Sequence, residues 1–157
     1  MIARGALRGG LAGGFLAAAF SVLGLIPICG FFAFPLRIAA WAFGGYLAGR
    51  IAIGSGARTG GVAAGIGAGV IAGIIDGVVN IALSPLAFKI MGNQVAGLFL
   101  LPDPVVKYFL SLGIDVMQLN TVGGSIFFSV MFCSVAWLLA GIIGMLGGGV
   151  AQSLADD

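Results

Sequence analysis

Residues 60–77 read GGVAAGIGAGVIAGIIDG, with glycine at 61, 65, 69, 73 and 77 and one carboxylate, Asp76, near the end of an otherwise apolar run. Both features are costly on their own. A glycine inside a helix costs about 0.8–1.0 kcal/mol relative to alanine, and a lone acid in apolar surroundings must be paired or protonated. A membrane helix that packs backbone against backbone, with its acid turned to a specific partner, accounts for both. A period of four on a 3.6-residue helix keeps Gly61, Gly65, Gly69, Gly73 and Gly77 in one slowly turning row, so a facing helix meets almost no side-chain bulk. In lipid, the resulting van der Waals contact stands in for the hydrophobic drive of a soluble bundle.

Similar rows recur along the chain: Gly10, Gly14 and Ala18; Ala40, Gly44 and Ala48; Ala136, Ala140, Gly144 and Gly148. The 157 residues are 61% hydrophobic and 8% charged, against roughly 25% charged in a soluble domain, and mean hydropathy is +1.21. Such a chain cannot cover a water-facing surface. Apolar runs near the length of about 20 residues that a spanning helix needs fall at about 9–27, 30–49, 60–83 and 121–147. They are joined by a tight turn at PICG (27–30), a basic loop RIAIGSGART (50–59) and a long connection over 84–120. The expected architecture is all-α: one polytopic transmembrane domain, a four-helix bundle with an interfacial or re-entrant segment between the third and fourth helices. In the connection, 86–102 is apolar but interrupted by Lys89, Asn93 and Gln94, and a short surface helix is expected from Asp103 and Pro104 to about Gly113. Each small-residue row can pack inside the chain or against other subunits or copies of it.

Arg4, Arg8, Arg50 and Arg58 fall on one side of this layout, whereas Lys89 and Lys107 are balanced by Asp103 and Asp115. The positive-inside rule then places both termini in the cytoplasm. MIARGALRGG at the start resembles the basic region of a signal peptide, but no small-x-small cleavage site follows, so an uncleaved first helix is expected. Cys29 and Cys133 lack metal-ligand spacing and read as small buried residues. A net charge of +2 without a polybasic tract gives no footprint for nucleic acid. The expected partners are the bilayer and other membrane subunits or copies.

Two charges lie at membrane depth. At 1.5 Å per residue, Arg37 is roughly 20 Å from Arg50 and Asp76 roughly 24 Å from Gly60, so the two come out nearly level if those residues mark one interface. An interhelical Arg37–Asp76 pair would neutralise both, with Asn80 one turn beyond Asp76 on the same face. The pair reads either as a clip fixing helix register or as a proton- or cation-exchanging carboxylate tuned by Arg37. The chain has no histidine, which removes the commonest general base and the commonest zinc ligand together. Asp76 is the only acid in an expected span, so no paired-carboxylate centre is available there. No catalytic residue, metal site or cofactor is assigned, and the expectation is a non-enzymatic protein.

The glycine row ending in an acid resembles the proteolipid ring subunits of rotary ATPases over residues 60–80. That resemblance implies an ion-binding Asp76 and a small ion-translocating or channel protein, although RIAIGSGART lacks the family's Arg-Gln-Pro loop. The layout as a whole, with an Arg-bearing start, a Gly-rich hairpin closing in Gly49-Arg50, a second Gly-rich span and a glycine run at 147–149, is similar to uncharacterised small four-helix, glycine-rich membrane proteins of prokaryotes. This second likeness implies a fold and no activity; the expected location is a prokaryotic plasma membrane. The leading functional expectation is a structural or accessory subunit that packs through its small-residue faces, in a larger complex or a homo-oligomer.

Overall fold

The computed structural model describes residues 1–57, 59–91 and 122–156, together with Lys107, Leu110, Ser111 and Gly113. Among the described residues the chain forms four long α-helices and no strand: α1 (Ile2–Leu23), α2 (Pro27–Gly54), α3 (Gly61–Met91) and α4 (Val122–Asp156). By length and composition α1, α3 and α4 can each cross a membrane.

Several helix boundaries differ from those the sequence suggests. The expected turn at PICG is helical, and the chain reverses at Gly24–Ile26 instead. Proline explains this: Ile26 is extended (φ −87°, ψ 119°) and Pro27 opens α2, because a residue before proline avoids the α region while proline's missing N–H is harmless in a first turn. The third helix was expected to stop at 83 but runs through Pro85 to Met91. Proline there frees the carbonyl of Ile81, and the Ser84 hydroxyl, 2.9 Å away, donates to it. Lys89 sits in the last turn of α3, where a cation suits the helix dipole. The first, second and fourth helices are also longer than expected, because Arg4 and Arg8, residues 50–54 of the expected basic loop, and the polar residues after Gly149 continue the helical pattern beyond the apolar core of each span. Gly56, with φ 97°, makes the turn from α2 to α3 in a conformation that side chains disfavour. Of the expected connection, 92–106, 108–109, 112 and 114–120 lie outside the described residues, and so do the expected re-entrant segment and most of the surface helix expected from Asp103 to about Gly113. Leu110 and Ser111 are helical, and Gly113 (φ 76°) follows them.

α1 lies against α2 and α3, α4 lies against α3 and α2, and α2 also meets α3. Contacts along α1/α2 and α3/α4 run in opposite directions, those along α1/α3 and α2/α4 in the same direction, giving an up-down-up-down order. Arg4, Arg8 and Arg50 therefore share one end, called the basic end below, and the Gly24–Ile26 turn lies at the other.

Apart from Trp41, the apolar interior is built of small residues. Ala17, Ala40, Ala48, Ala52, Ala64, Ala68, Ala72, Ala140 and Ala151 are essentially inaccessible, while Phe15 (66% exposed) and Phe34 (64%) point outward. A soluble bundle hides its large side chains. Here, among the described residues, the largest fully buried side chain is that of Asp76.

Candidate functional site

The sequence-derived packing residues all lie at helix contacts within the chain. A Cβ added at Gly44 would meet the Gly9 carbonyl at 2.8 Å, and one added at Gly13 would meet the Ala40 carbonyl at 2.9 Å, so α1 and α2 touch backbone to backbone. Gly10 faces Ile71 and Ala68, and Gly14 faces Ile75 and Ala72, across α1/α3. Gly61, Gly65, Gly69, Gly73 and Gly77 meet Gly148, Gly144, Ala140, Trp137 and Cys133 in turn across α3/α4. The thiol of Cys133 donates to the carbonyl of Gly77 at 3.2 Å.

The same helical spacing builds a polar stripe. Asp76, Asn80 and Ser84 stand at i, i+4 and i+8 on one face of α3. Against them α2 brings Arg37, and α1 brings Ser21. Arg37 donates to one carboxylate oxygen of Asp76, Oδ2, from both Nε (3.0 Å) and Nη2 (2.5 Å). The other oxygen, Oδ1, accepts from Ser21 Oγ at 2.7 Å and Asn80 Nδ2 at 3.0 Å. An ionised carboxylate has about four acceptor positions, and these four donors fill them.

Each donor is itself held. The amide nitrogen of Asn80 also donates to the backbone carbonyl of Asp76 at 2.7 Å; turning the amide over would set its oxygen against two acceptors, which fixes its orientation. Ser21 lies near Ala17 O (3.1 Å) as well as Asp76, and its single proton goes to the closer, charged acceptor. The Arg37 guanidinium carbon lies 5.8 Å from the centre of the Trp41 ring, one helical turn along α2, within cation–π range. Among the described residues the buried indole N–H of Trp41 has no partner, and an unsatisfied buried donor costs about 1–3 kcal/mol.

Ser21 is the member that reading the sequence missed, and a signal for it existed. It is the single hydroxyl-bearing residue between Arg8 and Pro27, and 13 residues beyond Arg8 places it about 20 Å into the helix, level with Arg37 and Asp76.

Asp76 is inaccessible, but the Arg37 side chain keeps 21% exposure. It faces a cavity of about 190 Å³ bounded by Ser21, Gly24, Leu25, Ala33, Phe34, Asn80, Leu83, Ser84, Ala87 and Ser129. On the other side of the pair, towards the basic end, lies the close-packed layer of Ala17, Ala40, Trp41, Ala72 and Ala140. Among the described residues no three Cys, Asp or Glu side chains gather as a metal site would require.

Chemically, the arrangement neutralises two buried charges and ties three helices at one level. No protein-family model, curated protein or solved structure matches the chain.

Proposed function

We propose that the chain is an integral membrane protein of four spans that works by packing rather than by chemistry, as a structural or accessory subunit of a membrane complex or homo-oligomer. The observation that carries this reading is the closed shell around Asp76: four donors from α1, α2 and α3 occupy its carboxylate. An ion-exchanging carboxylate needs an open position for its proton or cation, and Asp76 has none unless a donor leaves. The layer of Ala17, Ala72 and Trp41 beneath it is buried and packed together. Both features weigh against the channel or ion-translocating alternative.

The outward Leu, Ile and Phe side chains support the membrane placement. α2, which lies between α1 and α4 and spans 28 residues, is the fourth span because it runs alongside helices that are long and apolar enough to cross. The basic end is cytoplasmic by the positive-inside rule, and a prokaryotic plasma membrane fits the layout. Because the glycine rows are occupied inside the chain, contacts with other subunits or copies fall on the outward apolar side chains. Gentle extraction from the native membrane tests the reading. Co-migration with defined subunits, or as a fixed multiple of itself, is expected. A lone bundle that carries proton or sodium flux in proteoliposomes, abolished by Asp76→Asn, would overturn it.

A further inference from the structure

We infer that the cavity beside Arg37 is a blind, water-filled vestibule that opens at the Gly24–Ile26 turn and ends on the Arg37–Asp76 pair. The inference rests on the four-span reading above. Its first support is the unspent hydrogen-bonding capacity of the lining. Arg37 has five N–H groups and places two on Asp76. Among the described residues Ser129 lines the cavity without a hydrogen bond, and the amide of Asn80 donates through nitrogen only, leaving its oxygen unspent. Donors and acceptors thus face one space of about 190 Å³. A cavity needs only about 10–15 Å³ and two to four polar partners to hold each water, whereas a dry cavity would leave these groups unsatisfied.

Charge decides the kind of occupant. Arg37 and Asp76 cancel, so the lining has no net charge to retain an anion or a cation, which would enter only in passing and bring its own charge. Water adds none. Position decides the mouth: the lining runs along α3 from Asn80 to Ala87, about 10 Å, and meets Gly24 and Leu25 at the α1–α2 turn. The other direction is shut by Ala17, Ala72 and Trp41. Intramembrane charges face the bundle interior or a watery space, and this pair does both: Asp76 is enclosed while Arg37 is wetted.

The test is thiol labelling of the full chain in sealed vesicles with membrane-impermeant methanethiosulfonates, in a background of Cys29→Ala and Cys133→Ala. Ser84→Cys and Ser129→Cys are expected to react from the side of the Gly24–Ile26 turn. Lipid-facing Val78→Cys stays inert, and Ser55→Cys, in the α2–α3 turn, reacts only from the opposite side. Cationic and anionic reagents are expected to react at Ser129→Cys with similar rates. Adding Asp76→Asn leaves Arg37 uncompensated and speeds the anionic reagent about fivefold, the effect of a unit charge roughly 8 Å away at an effective dielectric constant of about 40. If Ser84→Cys and Ser129→Cys are as inert as Val78→Cys while Ser55→Cys reacts from the opposite side, the vestibule is refuted and the span layout stands. Labelling of Ser129→Cys from both sides refutes the blind end. Labelling of Ser55→Cys and Ser129→Cys from one common side overturns the four-span reading and the vestibule with it.

Discussion

From the basic end to the level of Ala68, every buried residue is glycine or alanine; about 12 Å further along α3, at Asp76 and Asn80, the helices meet through charge and hydrogen bonds beside a cavity. The first region is held by proximity. Its backbones touch because side chains have been reduced to hydrogen or methyl, and dispersion between them does what burial of Leu and Phe does in water. The second region is held by valence. Its donors and acceptors count out evenly at Asp76, and removing one leaves a buried group unsatisfied. Added volume should therefore harm the first region, and lost hydrogen bonds the second.

The largest loss is expected from Arg37→Gln, which strands the enclosed Asp76 carboxylate. Breaking a buried pair from one side costs about 3–5 kcal/mol, read as reduced unfolding stability in detergent micelles. Asp76→Asn should cost less, because the stranded Arg37 still borders the cavity. A reversed order would mean that the enclosure of Asp76 and the exposure of Arg37 do not set their energetics.

Next comes Gly69→Ala. The new methyl lands on the Ala140 carbonyl, and overpacking of this kind costs about 1–3 kcal/mol. Since Gly→Ala ordinarily stabilises a helix, a gain in stability here would break the claim that contact rather than composition holds the first region. Ser21→Ala removes one of the donors to Asp76 and should lower stability by about 1–2 kcal/mol. The smallest effect belongs to Gly54→Ala, where nothing lies within 4 Å of the added methyl; a change within about 0.5 kcal/mol in the same unfolding assay sharpens the contrast with Gly69→Ala.

The first region was the more legible in the sequence. Small residues at period four announce a close-packed face, and where the rows lie was readable without knowing what they face. Which helix they meet was not, because small-xxx-small spacing is the same for a neighbour in the chain and for another copy. In the second region the common depth of Arg37 and Asp76 followed from counting 1.5 Å per residue, and Asn80 from helical spacing. Ser21 escaped because a lone serine in an apolar helix usually bonds back to its own backbone, as Ser134 does to Val130. The turn at Gly24–Ile26 is hard to place from sequence because Pro27 fits a reversal as well as a helix start, where its fixed φ and missing N–H suit the first turn of α2. The extension of α3 to Met91 was hidden by Pro85, whose disruption is offset by the neighbouring Ser84.

The central claim is that Arg37 and Asp76 hold each other in a closed shell, and a double-substitution cycle tests it most directly. Unfolding stability is measured for the parent, Arg37→Gln, Asp76→Asn and the combined change. A closed pair predicts that the combined protein is more stable than Arg37→Gln alone, with a coupling of roughly 2 kcal/mol or more, since removing both charges leaves neither stranded. Losses that add to within about 0.5 kcal/mol would show that the two side chains act independently and would contradict the account.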